Sequence, residues 1–457
     1  MHRTTQVDTY TLTNFNISPF LEQAFSRKFD AEPDSDASSV LSSVPPSPCV
    51  SPTSPVEDNA DVPPANLDEA QAPESSNKAK TGSKARGKRN RKRKRAMEKE
   101  EGGSEAYCTP PALKKKHVGN MEPRSVDVNL ASMRVSANGF TGHRQDQGTK
   151  REYELSDMVG PQSKFKFDLV KWDGKRTKAF IDSEGRMIVI GVSFPGDSAW
   201  KSVPERLAMK VEEARSLTKI KKRNRRGRFK ALQAGVSYGM GMKKPAVQGQ
   251  SCRANKEAMD GLLEDRDLNR IAGLQSAAFE TWSSASLYAS YVENKRSLTK
   301  HDPSLRWNFS TSIFASITVN LGPRTVSIDH ADQNNRCDSF CAITPLSPPS
   351  GGFDYRLGGH LILWDLRIVV EFPPGTTILL PSAVLRHSNV AIGKHEKRYS
   401  VTQYSAGALF RWAEHGFQSE DSFYSRLSLD MLRQEKERDD GRWVKSLDSF
   451  LNLRDVL

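Results

Sequence analysis

His330-Ala331-Asp332, then His387, then Arg398-Tyr399-Ser400 follow one another in an order that can assemble one metal site. The second histidine stands 55 residues after the aspartate, and the arginine eleven residues after that. Two imidazoles and one carboxylate hold one face of an Fe(II) octahedron and leave three cis positions open. Arg398 and Ser400, two residues apart, share one face of a strand. A guanidinium fork with a hydroxyl beside it suits the distal carboxylate of 2-oxoglutarate, which would chelate two of the open positions and leave the third for dioxygen. The same pair can hold the carboxylate of another substrate, and Arg398 alone reads equally as a salt-bridge partner. His360, following Gly358-Gly359, is balanced between touching the cosubstrate and being a hydrogen-bonded core histidine. His395 lies in the charged turn Gly393-Lys394-His395-Glu396-Lys397 and reads as solvated, while His301 and His415 have no supporting context. Cys337 and Cys341 are close to the His-x-Asp pair but read as thiols packed beside a strand.

Such ligands converge only if short strands carry them to one mouth of a roll, and the surrounding pattern is of that kind. Residues 312–319, 325–328, 341–344, 360–364, 368–372, 377–380, 398–404 and 408–412 are β-rich, with Gly351-Gly352, Gly358-Gly359 and Pro373-Pro374-Gly375 between them. That spacing predicts a double-stranded β-helix, or jelly roll, over residues 301–418. Upstream, residues 151–300 read as mixed, with strands at Phe165–Val170 and Arg186–Val192 and helical patterns over 198–218 and 254–299. Residues 419–457 read as a helical buttress. The fold class expected is therefore α+β, a jelly-roll core with flanking helices behind a long disordered N-terminal region.

That last expectation comes from composition. All seven tryptophans lie after residue 150, and residues 31–75 are Ser, Pro, Asp and Ala with few large apolar side chains. Such a segment cannot bury enough surface to offset its ordering entropy, so residues 1–150 are expected to be disordered. The net charge of +13 is concentrated in Lys84–Arg95 and in Lys219–Lys230; the remainder is slightly acidic. The first run reads as a nuclear import signal, a phosphate-binding arm, or both. The second reads as a nucleic-acid backbone contact or an exposed loop. Ser47-Pro48, Ser51-Pro52 and Ser54-Pro55 are candidate sites for proline-directed phosphorylation. Five cysteines without a C-x-x-C pair fit a reducing compartment. No apolar run approaches the roughly 18–20 residues of a membrane span.

With these residues placed, a family resemblance can be read. His330-Ala331-Asp332-Gln333-Asn334-Asn335 has the H-x-D-x-x-N form of the TET/JBP oxygenases, which oxidise the methyl group of pyrimidines in nucleic acid. Ala234–Gly241 resembles that family's A-x-x-S-[FY]-G segment, and Gly358–Trp412 resembles its fungal branch. The resemblance covers about residues 160–420. It implies that His330, Asp332 and His387 bind Fe(II), that Arg398 and Ser400 hold 2-oxoglutarate with His360 assisting, and that Asn335 and Tyr404 meet the target base. It further implies double-stranded DNA as partner, with 5-methylcytosine or thymine flipped from the stack. Where animal and amoeboid members place a base-contacting histidine, this chain has Ala406. That departure leaves two other readings open: an oxygenase acting on a protein or on N-methylated bases, and a nuclear nucleic-acid-binding protein without turnover.

Overall fold

The computed structural model describes residues 111–144, 150–220 and 224–456. The Ser/Pro tract, its Ser-Pro pairs and the Lys84–Arg95 run lie outside the described residues. Helix α1 (Pro111–Gly119) leads into β1 (Glu122–Ser125), and a single turn α2 (Leu155–Met158) precedes β2 (Asp168–Val170), β3 (Lys178–Ile181) and β4 (Met187–Val192). Next come helix α3 (Ser202–Leu217), strands β5 (Ala231–Ser237) and β6 (Ala246–Val247), and three consecutive helices, α4 (Arg253–Glu264), α5 (Arg266–Trp282) and α6 (Ala285–His301). Strands β7 (Ser316–Asn320), β8 (Cys341–Leu346), β9 (Leu361–Leu363), β10 (Ile368–Val370), β11 (Thr377–Leu380), β12 (His387–Asn389) and β13 (Tyr399–Tyr404) follow. Helices α7 (Gly407–Glu414), α8 (Glu420–Tyr424), α9 (Leu429–Ser446) and α10 (Leu453–Val456) close the chain.

The strands form two sheets, one of nine in the order β1-β3-β4-β11-β8-β13-β7-β5-β6 and one of four in the order β12-β9-β10-β2. Pairing is antiparallel except at β1/β3 and β10/β2. A shared core joins the sheets, with Ile188, Ile190, Ile378 and Leu380 from the large one meeting Leu361, Leu363, Ile368 and Val370 from the small one. This is the jelly roll that the strand spacing implied, with helices added on one side. Helices α3, α4 and α5 bury Leu207, Val211, Met259, Leu268 and Ile271 against Ile317, Val319, Tyr399 and Val401. The two-residue alternation of β13 then turns Ser400 and Tyr404 to the opposite face, where they meet Asn320 and Thr318 of β7. A sheet face carrying so many hydroxyls and amides is not a packing surface; it lines a site.

Several expectations need correction. Residues 111–144, assigned to the disordered region, include α1 and β1 and bury Val118, Met121, Val126, Leu130 and Phe140. Their apolar residues are too widely spaced to show a period, and β1 joins the sheet by backbone pairing with β3, reinforced where Glu122 pairs with Lys178. Ala408–Trp412 is helical, within α7: the buried Ala408, Leu409, Trp412 and Ala413 of that helix recur at helical spacing, which a stretch of five residues is too short to distinguish from a strand. Thr325–Ile328 forms no strand and is held by isolated backbone bonds, while Phe165–Val170 is a strand only from Asp168. Among the described residues no helix is long and apolar enough to cross a membrane.

Candidate metal centre and its surroundings

His387 opens β12, and His330 ends the irregular segment after β7. Their backbones form one antiparallel bridge, His330 N–H donating to His387 O at 3.1 Å and His387 N–H to His330 O at 2.9 Å. Each ring is fixed by a carbonyl two residues earlier: His330 Nδ1 lies 2.8 Å from Ile328 O, and His387 Nδ1 lies 3.0 Å from Leu385 O. A carbonyl only accepts, so Nδ1 carries the proton on both rings and each Nε2 presents a lone pair. Asp332 is brought opposite by its N–H, which donates to Ser382 O at 2.8 Å. Its two oxygens lie 3.8 Å from His330 Nε2 and 4.0 Å from His387 Nε2. One ligand atom from each residue lies within 4.8 Å of the others.

The protonation states suit a metal. Burial depresses both imidazoles below their ordinary value, reinforced at His330 by the neighbouring His387. Burial alone would raise the Asp332 carboxyl, but the charge of Arg226, with Arg225 behind it, holds it well below the usual carboxylate range. Neutral imidazoles beside an ionised carboxylate are the forms that bind a divalent cation.

Arg226 is the residue that sequence reasoning missed. Its Nη2 donates to Asp332 Oδ1 at 2.5 Å, and Arg225 Nη2 lies 3.6 Å from the same oxygen. The turn carrying them is closed by Asn224, whose Oδ1 accepts from Arg226 N at 2.8 Å, and is clipped to the histidine-bearing segment by Ile328 N–H donating to Arg226 O at 2.8 Å. Gly227 is required there, since a Cβ would sit 2.6 Å from Val326 O. The second basic stretch is therefore neither wholly exposed nor wholly free for a partner: Arg226 enters the metal centre, and Lys230 Nζ caps the end of α3 through Thr218 O at 2.7 Å. Within a run of eight cations nothing in the sequence marked which one turned inward.

A second group of polar atoms lies under the Arg398 end of β13. Arg398 is 1% exposed. Its Nη1 donates to Thr325 O at 2.8 Å, its Nε has no partner, and the guanidinium lies over the rings of Phe353 and Phe372. Burial lowers it to about 10, which still leaves a full positive charge at neutral pH with no carboxylate paired to it among the described residues. His360 is wholly buried, neither ring nitrogen has a partner, and burial pushes it down to about 4. Gly359, the residue before His360, packs against Arg398: its φ is +72°, and a Cβ there would meet the Phe353 ring at 2.7 Å and Arg398 Cδ at 3.2 Å. Ser400 Oγ accepts from Asn320 Nδ2 at 2.9 Å on the same sheet face. Buried donors without acceptors are rare in proteins, and a buried cation without a counter-charge is rarer. The Arg398 guanidinium suits an anionic ligand with oxygen acceptors.

Tyr404 and Asn335 border the metal group. The Tyr404 hydroxyl lies 3.1 Å from Thr318 Oγ1, and burial raises it above its ordinary value, opposed by that hydrogen bond and by the charge of Arg226. Asn335 N–H donates to Asp332 O at 2.8 Å, and its Nδ2 donates to Ser382 Oγ at 3.0 Å. Ala406 is bridged to Asn335 through the backbone. Away from the centre, His395 is exposed, His301 stacks on Phe417, and His415 stacks on Phe423. Cys337 and Cys341 are buried free thiols outside the metal group.

No family model matches the chain, and no curated protein matches it. Among solved structures it is similar to "NgTET1 in complex with 5mC DNA" (TM-score 0.35, 13% identity, covering 52% of this chain and 82% of that one). It is also similar to an oxidoreductase of the 2OG-Fe(II) oxygenase family from Burkholderia pseudomallei (TM-score 0.24, 13% identity, 43% and 77% covered). A third is a dioxygenase for auxin oxidation in rice (TM-score 0.23, 12% identity, 49% and 74% covered). At these scores the chemistry has to be argued from the residues themselves.

Proposed function

We propose that this protein is an Fe(II)/2-oxoglutarate-dependent dioxygenase acting on a methylated base in DNA. The observation that carries the oxygenase reading is a His-Asp-His group with neither Nε2 hydrogen-bonded, together with a buried Arg398 that has no carboxylate paired to it among the described residues. His330, Asp332 and His387 would hold the iron, and Arg398 with Ser400 the distal carboxylate of 2-oxoglutarate. Iron bound there supplies oxidation of a C–H bond by dioxygen, coupled to decarboxylation of 2-oxoglutarate to succinate. The chain's own part is to hold and exclude. The two carbonyls at Ile328 and Leu385 fix the imidazole tautomers. Arg226 offers a second cation beside the carboxylate ligand, placed to meet a negatively charged ligand oxygen. His360, kept neutral, can donate one N–H to the cosubstrate without adding charge.

The DNA reading rests on the H-x-D-x-x-N motif and on the polar neighbours Tyr404 and Asn335, which would meet a base rotated out of its stack. Nuclear residence through the Lys84–Arg95 run is part of the same proposal; deleting that run should leave a fluorescent fusion in the cytoplasm, and unchanged nuclear signal would argue against it. Turnover is the test of the whole. Purified protein with Fe(II), 2-oxoglutarate and methylated duplex should yield succinate and a hydroxymethylated base together, both lost in His330→Ala. Succinate formed on methylated duplex with no base oxidised, by nucleoside mass spectrometry, would move the substrate to protein or to N-methylated bases.

A further inference from the structure

Arg225 and Arg228 of the second basic stretch face a groove. It encloses about 720 Å³ and is lined by Lys150, Arg151, Arg225, Arg228 and Arg324, with Glu152 the one carboxylate among its described lining residues. Glu152 lies 3.8 Å from Arg324 Nη2 and offsets at most one of the five charges. Arg225 is shared with Asp332. Lys150, Arg151 and Arg228 remain exposed, and the nearest carboxylate to Arg151 outside the groove, Asp157, is 4.0 Å away.

Both walls of this groove are tied to the segments that carry the metal ligands. On one side Ala391 N–H donates to Tyr153 O at 2.8 Å, which fixes residues 150–153 against the chain just beyond His387. On the other, Ile328 N–H donates to Arg226 O at 2.8 Å, which fixes residues 224–228 against the chain just before His330. Ile328 itself lines the groove, and its carbonyl holds the His330 ring. The groove is therefore an approach to the metal centre, far larger than one phosphate, with guanidinium forks suited to phosphate oxygens. We propose that it seats the phosphate backbone of the strand whose base is presented to the metal centre. This rests on the nucleic-acid reading above and adds where the strand lies.

The test measures binding without turnover. Full-length protein, free of Fe(II) and 2-oxoglutarate, is titrated by fluorescence anisotropy against a short unmodified duplex over a range of salt. The triple variant Lys150→Gln/Arg151→Gln/Arg228→Gln should bind at least roughly tenfold more weakly near physiological salt, and the slope of log K against log salt should flatten by about 0.9 for each contact removed. Arg433→Gln on the outer face of α9, which removes an equally exposed cation, should change neither. Unchanged affinity and slope in the triple variant would overturn the proposal, as would a proportionate loss in Arg433→Gln, which marks unspecific charge attraction. Because no cofactor is present, a protein that never oxidises DNA can still pass this test. Conversely, DNA oxidation with binding unaffected in the triple variant removes the groove and leaves the oxygenase reading standing.

Discussion

Single residues divide the labour of the centre. His330, His387 and Asp332 are presented as neutral, neutral and anionic donors, so replacing Asp332 with Ala should abolish Fe(II) retention and lower turnover by more than about 100-fold. Arg398 is a buried cation with no carboxylate paired to it among the described residues. Arg398→Gln should raise the KM for 2-oxoglutarate about 10- to 100-fold, the cost of a charge-assisted contact, with a much smaller change in the KM for the nucleic-acid substrate. An equal rise in both constants would contradict its assignment. Arg226 gives a sharper case, since its guanidinium already pairs with the Asp332 carboxylate that a bound metal would share. Arg226→Gln should destabilise the metal-free protein by about 1–3 kcal/mol, and added Mn(II), a redox-inert stand-in for iron, should raise its melting temperature by more than it does for wild type. If Mn(II) stabilises both proteins equally, the two cations do not share that carboxylate.

Elements decide whether these residues meet. The irregular chain from Arg324 to His330 stitches the two groups together, since Arg324 bridges Arg398 and His330 bridges His387. Beside it, Gly359 lets the chain start of β9 approach Arg398 at a positive φ with no room for a Cβ. Gly359→Ala should cost about 1–3 kcal/mol of stability and raise the KM for 2-oxoglutarate while Fe(II) binding is retained; an unaltered KM would show that Gly359 does not position Arg398. At this scale the sequence was partly legible. The His-x-Asp, His387 and Arg-x-Ser residues could be found because coordination chemistry restricts residue type and strand parity restricts spacing. Arg226 could not, because a cation facing inward and one facing water look alike in a basic run. Ala408–Trp412 was misread because a five-residue stretch is too short to show a period, and residues 111–144 because their buried apolar residues are too widely spaced to show one.

Over the whole molecule, buried neutral histidines tie stability to pH. His360 and His415 are pushed from an ordinary value of 6.5 to about 4 and about 3, in both cases chiefly by burial. Between those values the unfolded chain binds more protons than the folded one, so stability rises with pH and is lost as pH falls below about 6.5. Urea denaturation of the metal-free protein should show that decline, and His415→Phe, which keeps the stack on Phe423, should flatten it; an identical slope in the variant would show that His415 does not contribute. The roll, its helical layer and the groove matter for function only if the centre binds metal and cosubstrate in sequence. Oxygen-free calorimetry reads this directly: 2-oxoglutarate titrated into Fe(II)-loaded protein should bind with one-to-one stoichiometry, and it should bind far more weakly when iron is withheld or Asp332 is Ala. Equal binding of 2-oxoglutarate with and without iron, or none in the loaded wild type, would contradict the account.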